Sequence, residues 1–262
     1  MNRAFLAVLS LVSLALLQYS CVQAIEGCVD PLASNYDLMV EEVCRDSCCT
    51  YPSFSLTINY MADSLTLDSA DYYVNQLGSY FRLRSFYMVL SEFAFEGDFG
   101  AGEIINDGND VILDDLALIF YRNSSISPGN LRLDGASLEQ VNFHIGLPST
   151  LENINVSQDY KVLTILRDSV YLDSMTNQFY EIGFEIEVDS FSKEKEWFQY
   201  SNVDYATQKP VNKEISKGNT IRFQLNIDFM RLFNDIDFQS IDLNAKIEDA
   251  LNLKLVEAIT IE

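Results

Sequence analysis

The chain has 262 residues, 48% hydrophobic and 21% charged, a composition that excludes disordered and collagen-like polymers and leaves a globular protein with enough chain for a proper core. Lys and Arg number 17 against 39 Asp and Glu; the formal net charge of -22 repels nucleic acid and anionic lipid surfaces and excludes a phosphate-backbone role. A single histidine and a single tryptophan leave almost nothing for imidazole-based hydrolytic or metal chemistry.

The N-terminus carries Arg3 and then an apolar run from Ala4 to Leu17, broken only by Ser10 and Ser13. That run falls short of the roughly 20 residues a spanning helix needs, and it reads as a secretory signal. Two processing sites compete. Leu17-Gln18-Tyr19-Ser20-Cys21 resembles a bacterial lipobox, which makes Cys21 the lipid-modified first residue and residues 1–20 the signal. Val22-Gln23-Ala24 is a small-x-small site that makes residues 1–24 the signal and releases a soluble chain from Ile25.

Residues 25–53 form a Cys-rich segment. Cys28, Cys44, Cys48 and Cys49 crowd into it, and in an exported chain that density means structural disulfides rather than zinc, which favours paired knuckles over an adjacent Cys48-Cys49. Four cysteines allow three connectivities. The vicinal one is strained, so Cys28 reaches Cys48 or Cys49 and Cys44 takes the other. The opening Gly27-Cys28-Val29-Asp30-Pro31-Leu32-Ala33-Ser34-Asn35-Tyr36 and the closing Cys44-Arg45-Asp46-Ser47-Cys48-Cys49-Thr50-Tyr51-Pro52 resemble a small disulfide module common in exported proteins of the Bacteroidetes. The resemblance covers Gly27 to Pro52 and implies an extracytoplasmic bacterial protein, with no activity attached.

From Phe54 the hydrophobic period is two. Phe54, Leu56, Ile58 and Tyr60 alternate with Ser55, Thr57 and Asn59; Val141, Phe143 and Ile145 alternate with Asn142 and His144. Ile182, Phe184, Ile186 and Val188 alternate with Gly183, Glu185 and Glu187, and Ile221 to Phe229 alternate with Arg222, Gln224, Asn226 and Asp228. Tyr80 to Phe95 and Val111 to Tyr121 are longer apolar stretches suited to central strands. Asn106-Asp107-Gly108-Asn109 is a turn, Gly97 to Gly102 a hairpin loop, and Phe229 to Phe233 one short helical turn. With one wet face per strand and no β-α-β rhythm, the expectation is an all-β antiparallel sandwich over residues 54–262, behind the small N-terminal disulfide-rich module.

The order of features in this domain is similar to that of the MbnP-like family, named for a periplasmic copper-binding protein associated with methanobactin. The likeness runs through Gly78-Ser79-Tyr80-Phe81, Phe86 to Glu92, Pro128-Gly129-Asn130-Leu131, Phe143 to Pro148 and Leu232-Phe233-Asn234-Asp235-Ile236-Asp237. It implies a β-sandwich and a copper site built around a Met-x-Trp-x-Trp motif. Here that motif reads Met175-Thr176-Asn177-Gln178-Phe179, without either tryptophan, and the family's His-bearing opening strand is Ser55-Leu56-Thr57-Ile58-Asn59. Copper is thus a cofactor by resemblance only, with His144 and Met175 as its weak candidate ligands.

Other chemistry is sparse. His144, by its alternation, sits on a wet strand face, and no Gly-x-Ser-x-Gly elbow or His-Glu-x-x-His accompanies it. Asp107, Asp110, Asp114 and Asp115 offer hard oxygen ligands to calcium but lack EF-hand spacing. Met39, Met61, Met88, Met175 and Met230 are unpaired in sequence and read as core filler. Trp197, Phe198, Tyr200 and Tyr205 read as core aromatics before a sugar- or partner-binding surface. The expected function is an exported, non-enzymatic binding protein in the periplasm or at the outer membrane. Its partner is an unidentified protein or small ligand, and it touches a membrane only through a lipid at Cys21. The alternatives are a structural or adhesive surface lipoprotein and, third, a carboxylate-dependent hydrolase.

Overall fold

The structure, a computed structural model, describes residues 24–44, 48–105, 115–122, 124–135, 137–147, 171–173, 175, 178–188, 194–216 and 218–262. The signal segment with Cys21, the Asn106 to Asn109 turn, Asp107, Asp110, Asp114 and Asn177 lie outside the described residues. The chain divides into two compact units, one ending at Thr50 and the other running Tyr51–Glu262.

The first unit is held by covalent and polar ties. Its described buried hydrophobics are only Cys28, Leu32 and Ala33, too few for a self-sufficient core. Disulfides join Cys28 to Cys49 and Cys44 to Cys48, deciding between the two connectivities that the sequence left open. Strand β1 (Glu26–Gly27) pairs parallel with β2 (Glu42–Val43). The Asn35 side chain donates to Cys48 O at 2.7 Å and accepts from Thr50 N at 2.8 Å, so one amide fastens the returning segment.

The second unit is the antiparallel β-sandwich expected from the strand periodicity. Its strands are β3 (Ser53–Ala62), β4 (Leu65–Thr66), β5 (Tyr73–Val74), β6 (Tyr80–Gly97), β7 (Gly100–Ile105), β8 (Leu116–Phe120), β9 (Ser125–Leu131), β10 (Ser137–Ile145), β11 (Leu172–Asp173), β12 (Gln178–Phe179), β13 (Ile182–Glu187), β14 (Lys195–Tyr200), β15 (Tyr205–Glu214), β16 (Ile221–Asp228) and β17 (Ile259–Ile261). Helices α1 (Phe229–Phe233) and α2 (Leu243–Ala258) separate the last two. One sheet runs β14-β13-β6, with β10 and then β15 continuing beside the C-terminal half of β6. The other runs β9-β3-β16-β17, and β7 joins the sheets by pairing with both β6 and β9. The hairpin from β6 to β7 turns at Asp98-Phe99, with Gly100 at φ +84.

β6 spans both halves of one sheet because two irregularities reset its pleat. Core-facing residues are Phe81 and Leu83, then Phe86, Met88 and Leu90, then Phe93 and Phe95. Each change of parity coincides with a register shift, against β13 near Leu83/Ser85 and against β10 near Ser91/Ala94. A strand with strict period two from Phe81 would turn Phe86, Met88 and Leu90 away from the core that holds Leu83, Phe93 and Phe95. At the second shift Glu92 takes φ +52, an uncommon conformation for a side-chain-bearing residue.

Three features depart from the sequence expectation. β3 and β16 pair parallel, from Ile221↔Phe54 to Asp228↔Met61, within the otherwise antiparallel described strands of this unit. Helix α2 was not expected at all, although Leu243, Ile247, Ala250, Leu251, Leu255 and Ala258 bury one helical face at three- and four-residue steps. Glu187, expected on a wet face, is 1% exposed. It pairs with Arg82, accepts a hydrogen bond from Tyr72, and lies 3.8 Å from Arg84 Nε. Both arginines donate onward to carbonyls of Ser69 and Ala70, so the cluster pins the loop before β5.

The aromatic segment around Trp197 also finds its role here. Phe198 and Tyr200 are buried, as expected of core aromatics. Tyr200 Oη donates to Asn244 O at 3.1 Å, Tyr205 Oη to Asn252 Oδ1 at 2.5 Å, and Lys209 Nζ to Val256 O at 2.6 Å. These three rungs from β14 and β15 tether α2 along its length. Trp197 faces the other way and is 44% exposed, against Tyr87.

Candidate functional site

The parallel register of β3 and β16 and the return of β17 stack three strands whose inner residues enter the core and whose outer residues share one polar face. On that face Asn59 stands beside Asn226, and Asn226 beside Thr260. Asn59 Nδ2 donates to Asn226 Oδ1 at 2.8 Å, and Asn226 Nδ2 reaches Thr260 Oγ1 at 3.4 Å, forming a row across the sheet. Gln224 and Glu262 lie one step along, joined through paired backbone hydrogen bonds of 2.8 and 3.0 Å.

Side walls convert this face into a cleft of about 490 Å³. One wall is the β3–β4 turn, which contributes Asp63 and Thr66; Asp63 takes φ +56, and its N–H donates to Asp228 Oδ1 at 3.1 Å. The same Asp228 oxygen caps α1 by accepting from Met230 N and Arg231 N at 3.0 and 3.2 Å. The opposite wall comes from the end of α2, where Glu257 pairs with Arg231 at 3.1 Å across the rim. Met61 and Ala258 are the apolar lining. A concavity of this volume, with polar groups converging from four strands and two helices, is of the size that holds small ligands.

The residues singled out in the sequence lie elsewhere. His144 is on β10, with its side chain 35% exposed; its Nδ1 donates to Asp204 Oδ1 at 2.7 Å and its Nε2 lies 3.6 Å from Glu92 Oε2. The Glu92 bulge supplies one carboxylate. The other comes from the loop before β15, where Val203 N donates to the buried Glu181 Oε2 at 2.6 Å. His144 thus stands on the wet strand face expected of it and meets two exposed carboxylates there. Met175, 96% exposed, lies between β11 and β12. Among the described residues no group of three or more His, Cys, Asp or Glu is arranged to hold a metal ion. Asp115, the described member of the calcium candidates, accepts from Phe93 N at 2.5 Å, which ties it to the β6 bulge. Of the methionines, Met88 and Met230 are core as expected, Met39 and Met175 are exposed, and Met61 lines the cleft.

The cleft has no signature in the sequence because its strands are distant in the chain. Asn59 and Asn226 were both legible as outward positions of amphipathic strands, but the Asn59–Asn226 bond spans 167 residues. Only pairing could show that the two polar faces are one.

No family model matches the chain, and no curated protein matches it either. Among solved structures the chain is similar to MbnP from Methylosinus trichosporium, at 12% sequence identity and a TM-score of 0.48, over 74% of this chain and 80% of that one. Among the described residues no helix is long and apolar enough to cross a membrane. The two disulfides suit an oxidising, extracytoplasmic compartment.

Proposed function

We propose that the chain is an exported, non-enzymatic binding protein of MbnP-like type whose ligand site is the cleft over β3, β16 and β17. The observation that carries this reading is the Asn59–Asn226–Thr260 row at the floor of a cleft of about 490 Å³. Its groups are hydrogen-bonding groups rather than a nucleophile paired with a base, which suits retention of a ligand over its conversion. Export is supported by the N-terminal apolar run and the disulfide-stapled first unit. The family's copper site is degenerate: Asn177 and Phe179 stand where the family has tryptophan. The mature chain begins at a lipidated Cys21, which anchors it to a bacterial membrane.

Two measurements test these statements separately. Side-chain amide spectra of the full chain, titrated with a library of small polar metabolites, should show Asn59, Asn226 and Gln224 responding together to the ligand. A library whose binders move only residues outside the cleft refutes the site. Intact mass of the native protein tests the anchor, since a start at Ile25 without acyl mass refutes lipidation.

A further inference from the structure

We infer that the cleft over β3, β16 and β17 takes a neutral, hydroxyl-rich ligand, a saccharide by chemical class; this rests on the reading of that cleft as the binding site. A hydroxyl group donates one hydrogen bond and accepts others, so a site built for several of them must interleave donors with acceptors. The cleft does so. Asn226 spends its Oδ1 on Asn59 and one N–H on Thr260, which leaves an amide hydrogen, and Asn59 keeps its own Oδ1 and a second amide hydrogen. Exposed Gln224 adds a complete side-chain amide on the same face. Around these donors stand acceptors: the Asp63 and Glu262 carboxylates, and the Asp228 oxygen not engaged in capping α1.

Other ligand chemistries fit less of the lining. An anion meets the Asp63, Asp228 and Glu262 carboxylates against one guanidinium that is already paired with Glu257. A coordinated metal finds no cluster of ligating side chains among the described residues. An apolar molecule has only Met61 and Ala258 to cover. An organic ammonium satisfies the carboxylates but leaves the amide hydrogens of Asn59 and Asn226, whose orientation the row fixes, facing a positive charge. Hydroxyls alone engage both sets, and a neutral ligand is not repelled by a protein of net charge -22.

The test uses the full chain, isotopically labelled, titrated in parallel with three sets of probes. The first is a panel of neutral mono- and disaccharides (glucose, galactose, mannose, N-acetylglucosamine, maltose, cellobiose); the others are spermidine and inorganic phosphate. The expected result is a saccharide that shifts the side-chain amide signals of Asn59, Asn226 and Gln224, with affinity falling at least tenfold in Asn226→Ala. Gln224→Ala, at an exposed position, is the second variant and should weaken binding without change in melting temperature. Spermidine or phosphate shifting those amides where no saccharide does overturns the saccharide class and leaves the cleft as a binding site. A saccharide that binds both variants as tightly as the parent overturns the site itself. Silence of the cleft amides toward all three sets overturns both.

Discussion

Glu187 is buried to 1% exposure and its carboxylate is paired with the Arg82 guanidinium, whose carbon sits 4.4 Å over the Tyr72 ring. A carboxylate removed from water in this way is stable only while its partners remain. Removing Arg82 leaves the buried charge with only Tyr72 and the more distant Arg84 at 3.8 Å, so the cost approaches the about 3–5 kcal/mol of a broken buried pair as its upper limit. Arg82→Met is expected to destabilise the second unit by that order, measured by urea unfolding. Arg82→Met combined with Glu187→Leu should recover part of the loss, because no charge is then left alone.

The same pair sets an acid sensitivity. Burial alone opposes ionisation of Glu187, but the hydrogen bonds from Tyr72 and Arg82 and the charges of Arg82 and Arg84 outweigh it and hold its pKa below the usual 4.5. A carboxyl whose folded-state pKa is depressed contributes stability that is fully present above its unfolded value. That contribution is lost as the pH falls through the folded value. The stability difference between the parent and Glu187→Gln should thus be constant near neutrality and shrink as the pH drops below about 4.5. A difference that grows on acidification contradicts the assignment.

Gly146 adopts φ +122, and a Cβ placed on it would come within 1.7 Å of Val203 O. Gly146→Ala combines backbone strain with a clash against main chain, and a cost of roughly 1–3 kcal/mol is expected. The loop that carries Asp204 toward His144 should shift, so the imidazole signals of His144 should move as well. Unchanged melting temperature together with unchanged imidazole signals would contradict this geometry.

The first unit should depend on its bridges and the second should not. The Cys28–Cys49 bridge joins residues 21 apart in sequence, a loop for which chain-entropy models give on the order of 3 kcal/mol. Cys28→Ser with Cys49→Ser is expected to speed amide exchange across residues 24–50 while leaving exchange in β3, β6 and β16 at parental rates. Equal loosening of both units would show that the second unit's core is not independent.

Copper should bind weakly or not at all. A soft monovalent site needs several converging thioether, imidazole or thiolate ligands. Here His144 Nδ1 is committed to Asp204, and Cys28, Cys44, Cys48 and Cys49 are in disulfides. Calorimetric titration at physiological salt is expected to show no stoichiometric submicromolar site. Finding one that His144→Ala and Met175→Ala abolish would overturn this expectation.

Local pattern determined much of this protein. Alternation over Phe54 to Tyr60, Val141 to Ile145 and Ile221 to Asp228 is enough to place strands, because in a sheet with one wet face the side-chain period is fixed by backbone geometry. Cysteine density likewise announced disulfides, and the run after Asp228 announced a helical turn that Asp228 caps. Helix α2 was legible too, in the three- and four-residue spacing of buried residues from Leu243 to Ala258. Tertiary structure alone decided the rest. Whether Cys28 takes Cys48 or Cys49 depends on how the short chain folds back, which spacing does not encode. Glu187 reads as a solvent-facing strand residue until Arg82 and Tyr72, more than 100 positions away, close over it. The cleft exists only because β16 pairs parallel with β3, bringing Asn226 to Asn59 across 167 residues. Strand pairing between distant segments is governed by the packing of the whole core, so a site made of paired strands has no local signature in the chain.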